Sequence, residues 1–136
     1  MTTSVRMWRA ALPLLAVLFL AAGCSSVRNN YLTPENFKVT LEQHGLKVDG
    51  VRELSPDPFR ATSGCAFLID GSEIGVYKYD RNSEVQKKRI ERIAEEKCTY
   101  IIGIKYPVVV HGSFMLFGVE KNPRKREILK AFEDFN

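Results

Sequence analysis

The chain carries three cysteines, Cys24, Cys65 and Cys98, and two histidines, His44 and His111. A histidine beside a hydroxyl is what a general base and its nucleophile require, and His111-Gly112-Ser113 supplies both groups two positions apart. For hydrolysis, an acid such as Asp70 or Glu120 would have to join them and orient the imidazole. The plainer reading is that His111 and Ser113 occupy a polar break between two apolar runs, where a turn is expected. His44 precedes Gly45 at the end of a helical pattern, where a basic ring favours the negative end of the helix dipole. Neither histidine has partners at metal-ligand spacing, so no metal and no other cofactor is expected. The nucleophile-elbow, zincin, P-loop and dinucleotide motifs do not occur. Catalysis is therefore the less favoured reading.

Charge clusters offer a second chemistry. Lys87-Lys88-Arg89, with Arg92 one turn on, and Arg124-Lys125-Arg126 would both attract anionic surfaces. Acids are interleaved at Glu84, Glu91, Glu95, Glu96 and Glu127, so a solvated helix face competes with that role. Lys87, Lys88, Arg124, Lys125 and Arg126 are the candidate contacts to an anionic surface. Tyr77 and Tyr79 alternate along one apolar run, and Phe114 and Phe117 lie on another. They are core residues first, and a ligand platform only where a sheet face is left open.

The N-terminus gives the most specific signal. Arg6 and Arg9 precede the uncharged run Ala10 to Gly23, the plan of a secretory signal. That run falls short of the roughly 20 apolar residues of a spanning helix, and Pro13 disturbs it further. It ends in Leu20-Ala21-Ala22-Gly23-Cys24, which resembles the bacterial lipoprotein signal. Ala21 stands where leucine is commonest in that family. The resemblance covers residues 1–24 and implies cleavage before Cys24, whose thiol takes a diacylglyceryl group. It places the protein outside the cytoplasm, held to the cell membrane by lipid. In a host with two membranes, Ser25 favours the outer one.

Residues 1–23 are thus expected to be a signal peptide, 24–33 a lipidated tether, and 34–136 a single domain. Two of the 20 basic residues, Arg6 and Arg9, belong to the leader, which leaves 18 against 16 acids. So even a balance argues against nucleic acid as partner. Cys65 and Cys98 then lie in a compartment where disulfides persist. A bridge between them would close about 34 residues, worth roughly 3–4 kcal/mol. Two buried free thiols are the alternative.

The elements that position these groups read in order. Thr33-Pro34-Glu35 opens a helix that ends at His44-Gly45. Lys47–Leu54 is a strand interrupted at Asp49-Gly50, and Ser55–Pro58 is a loop. Cys65–Asp70 and Ser72–Tyr79 form a hairpin about Asp70-Gly71. Asn82 or Ser83 caps a helix whose buried stripe is Ile90, Ile93 and Ala94. Tyr100–Val110 and Phe114–Glu120 make a second strand pair. Asn122-Pro123 starts the last helix, with Ile128, Phe132 and Phe135 inward. The order α-β-ββ-α-ββ-α predicts an α+β two-layer sandwich, a mainly antiparallel sheet with helices on one face.

The sequence therefore predicts a membrane-anchored extracytoplasmic lipoprotein whose domain is a non-catalytic module for a protein partner or a cell-envelope polymer. The alternative is a small lipid-tethered hydrolase using His111.

Overall fold

The computed structural model describes residues 25–136, with side chains from Arg28 onward. The leader expected at 1–23 and the lipid site expected at Cys24 lie outside the described residues. The elements are α1 (Phe37–Gln43), β1 (Gly50–Leu54), β2 (Ser63–Ile69), β3 (Ser72–Lys78), α2 (Glu84–Glu96), β4 (Cys98–Ile101), β5 (Ile104–His111), β6 (Phe114–Phe117) and α3 (Lys125–Glu133). The six strands form one antiparallel sheet in the order β1-β2-β3-β6-β5-β4. This is the expected α+β class. The sheet consists of two meanders, β1-β2-β3 and β4-β5-β6, which meet at a single seam between β3 and β6.

Two of its hairpins share one turn geometry. Asp70 and Gly71 join β2 to β3 with φ of 49° and 78°. A type I′ turn needs positive φ at both centres, and Asp-Gly is well suited to it. Ile102 and Gly103 join β4 to β5 with φ of 50° and 77°. There a β-branched residue occupies a position it ordinarily avoids. This turn divides the run Tyr100–Val110, which the sequence suggested was one strand, because Ile-Gly carries no turn signal.

Both sheet faces are covered, a departure from the one-sided layer expected. Ile74, Val76, Phe114 and Leu116 meet Phe37 and Leu41 of α1 and Ile128 and Phe132 of α3. Tyr77 and Met115 point the other way and meet Ile90 and Ile93 of α2, together with Phe59. The cause is in β3 and β6, which carry apolar side chains at consecutive positions. Helices on one side alone would leave Tyr77 and Met115 wet, a loss of about 1.5–3 kcal/mol for each large side chain. Over β1 and β2 the second face is closed differently. Arg52 and Glu73, opposite Ala66 and Leu68 of β2, reach across that strand in a 2.7 Å ion pair.

The domain also begins earlier than the tether expected at 24–33. Ser25–Tyr31 forms a 3-10 turn in which Asn29 is buried. Its amide donates to the carbonyls of His111 and Phe135 and accepts from the Ser113 N–H. Asn30 accepts from Ser113 Oγ and the Arg81 N–H, and donates to Asp80. Two consecutive asparagines thus bind what composition suggested was a polar linker. Among the described residues, the side chains of both cores come from Leu32 to Phe135, all within the chain that cleavage before Cys24 would leave.

Candidate functional site: a cationic groove along helix α2

Helix α2 is set by its own sequence. Ser83 Oγ accepts from the Gln86 N–H as an N-cap. Ile90 and Ile93 face the sheet, while Ala94, expected in that stripe, is exposed. Lys88, Arg89 and Arg92 share another flank through i, i+1, i+4 spacing. The segment Asp57–Phe59 runs beside this flank as a 3-10 turn. Phe59 anchors it, edge-on to Tyr77 at 4.7 Å and tilted against Phe117 at 5.1 Å. The hydroxyl of Tyr79 donates to the Phe59 carbonyl at 2.7 Å. Burial pushes the Tyr79 hydroxyl above its ordinary range, opposed by the charge of Arg89, so it remains a protonated donor. Arg60 follows in the left-handed region at φ 55°, and its carbonyl accepts from Gln86 Nε2.

Between this turn, α2 and β4 lies a groove of about 480 Å³. Phe59, Ile93 and Cys98 form its buried floor. Arg60, Lys88, Arg89 and Arg92 stand around it against one acid, Glu96. None of these four cations enters an ion pair among the described residues. Tyr100 closes one side, its hydroxyl held above the ordinary range chiefly by the neighbouring Cys98 thiol. The site therefore offers concentrated positive charge, two aromatic rings and a neutral phenol, the chemistry that holds phosphate or carboxylate groups.

Of the five candidate contacts to an anionic surface only Lys88 lines this groove, beside Arg89 and Arg92 of the same cluster, while Lys87 lies off it. The second cluster is largely neutralised. Arg124 pairs with Asp70 and Glu127, and Lys125 pairs with Glu120 at 2.7 Å, which leaves Arg126 exposed. Arg60 and Tyr100 were not legible as site residues, because Arg60 comes from a turn well before α2 and Tyr100 from the strand after it, and only the folded sheet sets both beside the helix flank.

The groups of the hydrolase alternative are not assembled. Ser113 is fully buried, and its hydroxyl donates to Asn30 at 2.7 Å. His111 Nε2 contacts Asn136 Oδ1 at 2.9 Å. Asp70 lies at the far end of β3, since the Tyr79 N–H just beyond that strand donates to the Ser113 carbonyl. The separation is roughly 20–25 Å along the strand. Glu120 follows Gly118, which packs against Glu73 at that same far end. His44 instead meets Asp134 at 2.9 Å, close to the end of its helix.

The bridge proposed between Cys65 and Cys98 is also corrected, since both are free and buried. They occupy β2 and β4, four strand steps apart in the sheet. That is roughly 19 Å at ordinary strand spacing, whereas a disulfide needs Cα atoms within about 7 Å. Tyr77, Tyr79 and Phe114 are buried core, not a ligand platform. Among the described residues no three His, Cys, Asp or Glu side chains gather as a metal site. No described helix is long and apolar enough to cross a membrane. Comparison with protein-family models, curated proteins and solved structures finds no match.

Proposed function

We propose that this protein is a lipid-anchored extracytoplasmic module, non-catalytic, that binds an anionic polymer of the cell envelope in the groove along α2. The observation that carries the reading is the set of four cations, Arg60, Lys88, Arg89 and Arg92, which stand around one groove without ion-pair partners among the described residues. Separated like charges on a fixed scaffold favour a ligand that repeats its negative charge, and each contact releases a counterion. A polymer of phosphate or carboxylate units has that form, which favours it over a protein partner for this groove. The anchor is supported by the charged start, apolar run and small residues before Cys24.

The test is a titration of residues 25–136 with poly(glycerol phosphate) and with a neutral glycan of equal length. Affinity for the charged polymer should fall steeply with salt, and Lys88→Gln with Arg92→Gln should lower it on the order of tenfold. Equal affinity for the neutral glycan, or an unchanged double variant, would sink the reading. Cys24→Ala should release the protein from the membrane fraction and abolish incorporation of labelled palmitate.

A further inference from the structure

We propose that the tip of the β4–β5 hairpin is a membrane-contacting element that inserts Ile102 and Ile104 into the surface of an anionic bilayer. The case starts from the two hairpins that share one turn. In the β2–β3 turn the first centre is Asp70, a residue suited to positive φ. In the β4–β5 turn the same position holds Ile102, a β-branched side chain that is 95% exposed. The fold itself gains nothing from this choice, since asparagine would serve the turn and also satisfy water. Strained conformations of this kind persist chiefly where function uses them.

The surroundings identify the occupant. Ile104 and Tyr100, beside the tip, are 57% and 53% exposed. Lys97 and Lys105 are exposed on either flank, and no acid occurs from Cys98 to Val119. Tyr100 also borders the groove, where Arg60, Lys88, Arg89 and Arg92 stand against the single acid Glu96. Apolar residues at the apex, a tyrosine behind them and lysines beyond follow the layers of a bilayer surface from acyl chains to anionic head groups. A protein partner would need a far larger apolar area, on the order of 1,000 Å² in total.

The position of the tip adds an orientation. Asn29 is clasped to the His111 carbonyl at the opposite end of β5, roughly 25 Å away at the usual rise per residue. With a lipid on Cys24 at one end and the tip at the other, β5 lies along the membrane and does not stand upright on it. This orientation rests on the lipid-anchor reading, whereas insertion of the tip does not.

Residues 25–136 float with vesicles of phosphatidylcholine alone or of phosphatidylcholine mixed with phosphatidylglycerol in the deciding experiment. Binding should require the anionic lipid. Trp8 is the one tryptophan of the chain, so Ile102→Trp gives this segment a single reporter. Its emission should shift to the blue on mixed vesicles and be quenched by brominated acyl chains. Ile102→Asn should lower vesicle binding about tenfold while raising the unfolding midpoint, which separates lost contact from lost fold. Its affinity for soluble poly(glycerol phosphate) should not change. Insertion without polymer binding would retain this proposal and reject the polymer reading. Vesicle binding by Ile102→Asn equal to that of the parent, or unshifted emission from bound Ile102→Trp, would overturn it.

Discussion

The side-chain amide of Asn29 donates a 3.0 Å hydrogen bond to the carbonyl of Phe135, a residue 106 positions later. The same amide bonds His111 and Ser113, so the first turn of the domain locks the β5–β6 connection and the end of the chain together. Gly112 makes this approach feasible, because a Cβ there would collide with the Asn29 amide.

Asn29→Ala should therefore cost about 2–4 kcal/mol, since it strands two carbonyls and one N–H in a buried site. Urea unfolding of residues 25–136 measures this. A loss below about 0.5 kcal/mol, the level of an ordinary surface change, would show that the clasp contributes little.

The separation of Cys65 and Cys98 predicts that a reducing agent leaves the unfolding midpoint unchanged. Both thiols are buried, so alkylation should be slow in the native state and complete in denaturant. A non-reduced mass showing loss of the two thiol hydrogens would contradict the strand order itself.

Alkaline pH should weaken the fold through Cys65. Burial, with a smaller contribution from the charge of Glu35, pushes its thiol from 9.0 up to about 11. The folded chain thus holds this proton more tightly than the unfolded chain does. Stability from this source is complete below about pH 9 and is lost as pH rises towards 11, by about 2–3 kcal/mol. Unfolding measured across that window should show the decline, and Cys65→Ala should flatten it while lowering stability at neutral pH.

Gly64→Ala should damage the core and the groove together. A Cβ at this position would lie 2.8 Å from the Tyr77 ring, and Tyr77 packs on Phe59, the floor of the groove. Overpacking of this kind costs about 1–3 kcal/mol. If the variant lost that stability yet bound poly(glycerol phosphate) as the parent does, Phe59 would not set the shape of the groove.

Much of this architecture was legible where the signal was local. Ser83 caps α2, Asp70-Gly71 turns β2 into β3, Ile128 and Phe132 point inward at their helical spacing, and Phe135, just past the end of α3, is buried with them. The second helical face was implicit in the continuous apolar runs of β3 and β6, but alternation alone does not say which side a helix takes. Residue types misled in three places. Asn29 and Asn30 resembled linker residues because their partners lie 50 or more positions away. Ile102 resembled strand interior because it is a poor turn residue. Cys65 and Cys98 invited pairing because strand order is a non-local property. The groove was half visible, in Lys88, Arg89 and Arg92 on one helix flank, while Arg60 and Tyr100 arrive only once the sheet is assembled.

The division of the sheet into two meanders also shapes how the chain reaches this state. Within each meander, neighbouring strands are successive in sequence, so their contacts form at small loop-closure cost. Only the β3–β6 seam must close a long loop, roughly 35 residues that include α2, at about 2 kcal/mol more chain entropy than a tight hairpin. Because Tyr77 pairs with Met115 across that seam and both belong to the core under α2, docking of the helix and joining of the two halves are one event. The topological barrier to folding is concentrated there, and the two meanders on either side are the natural units of early structure.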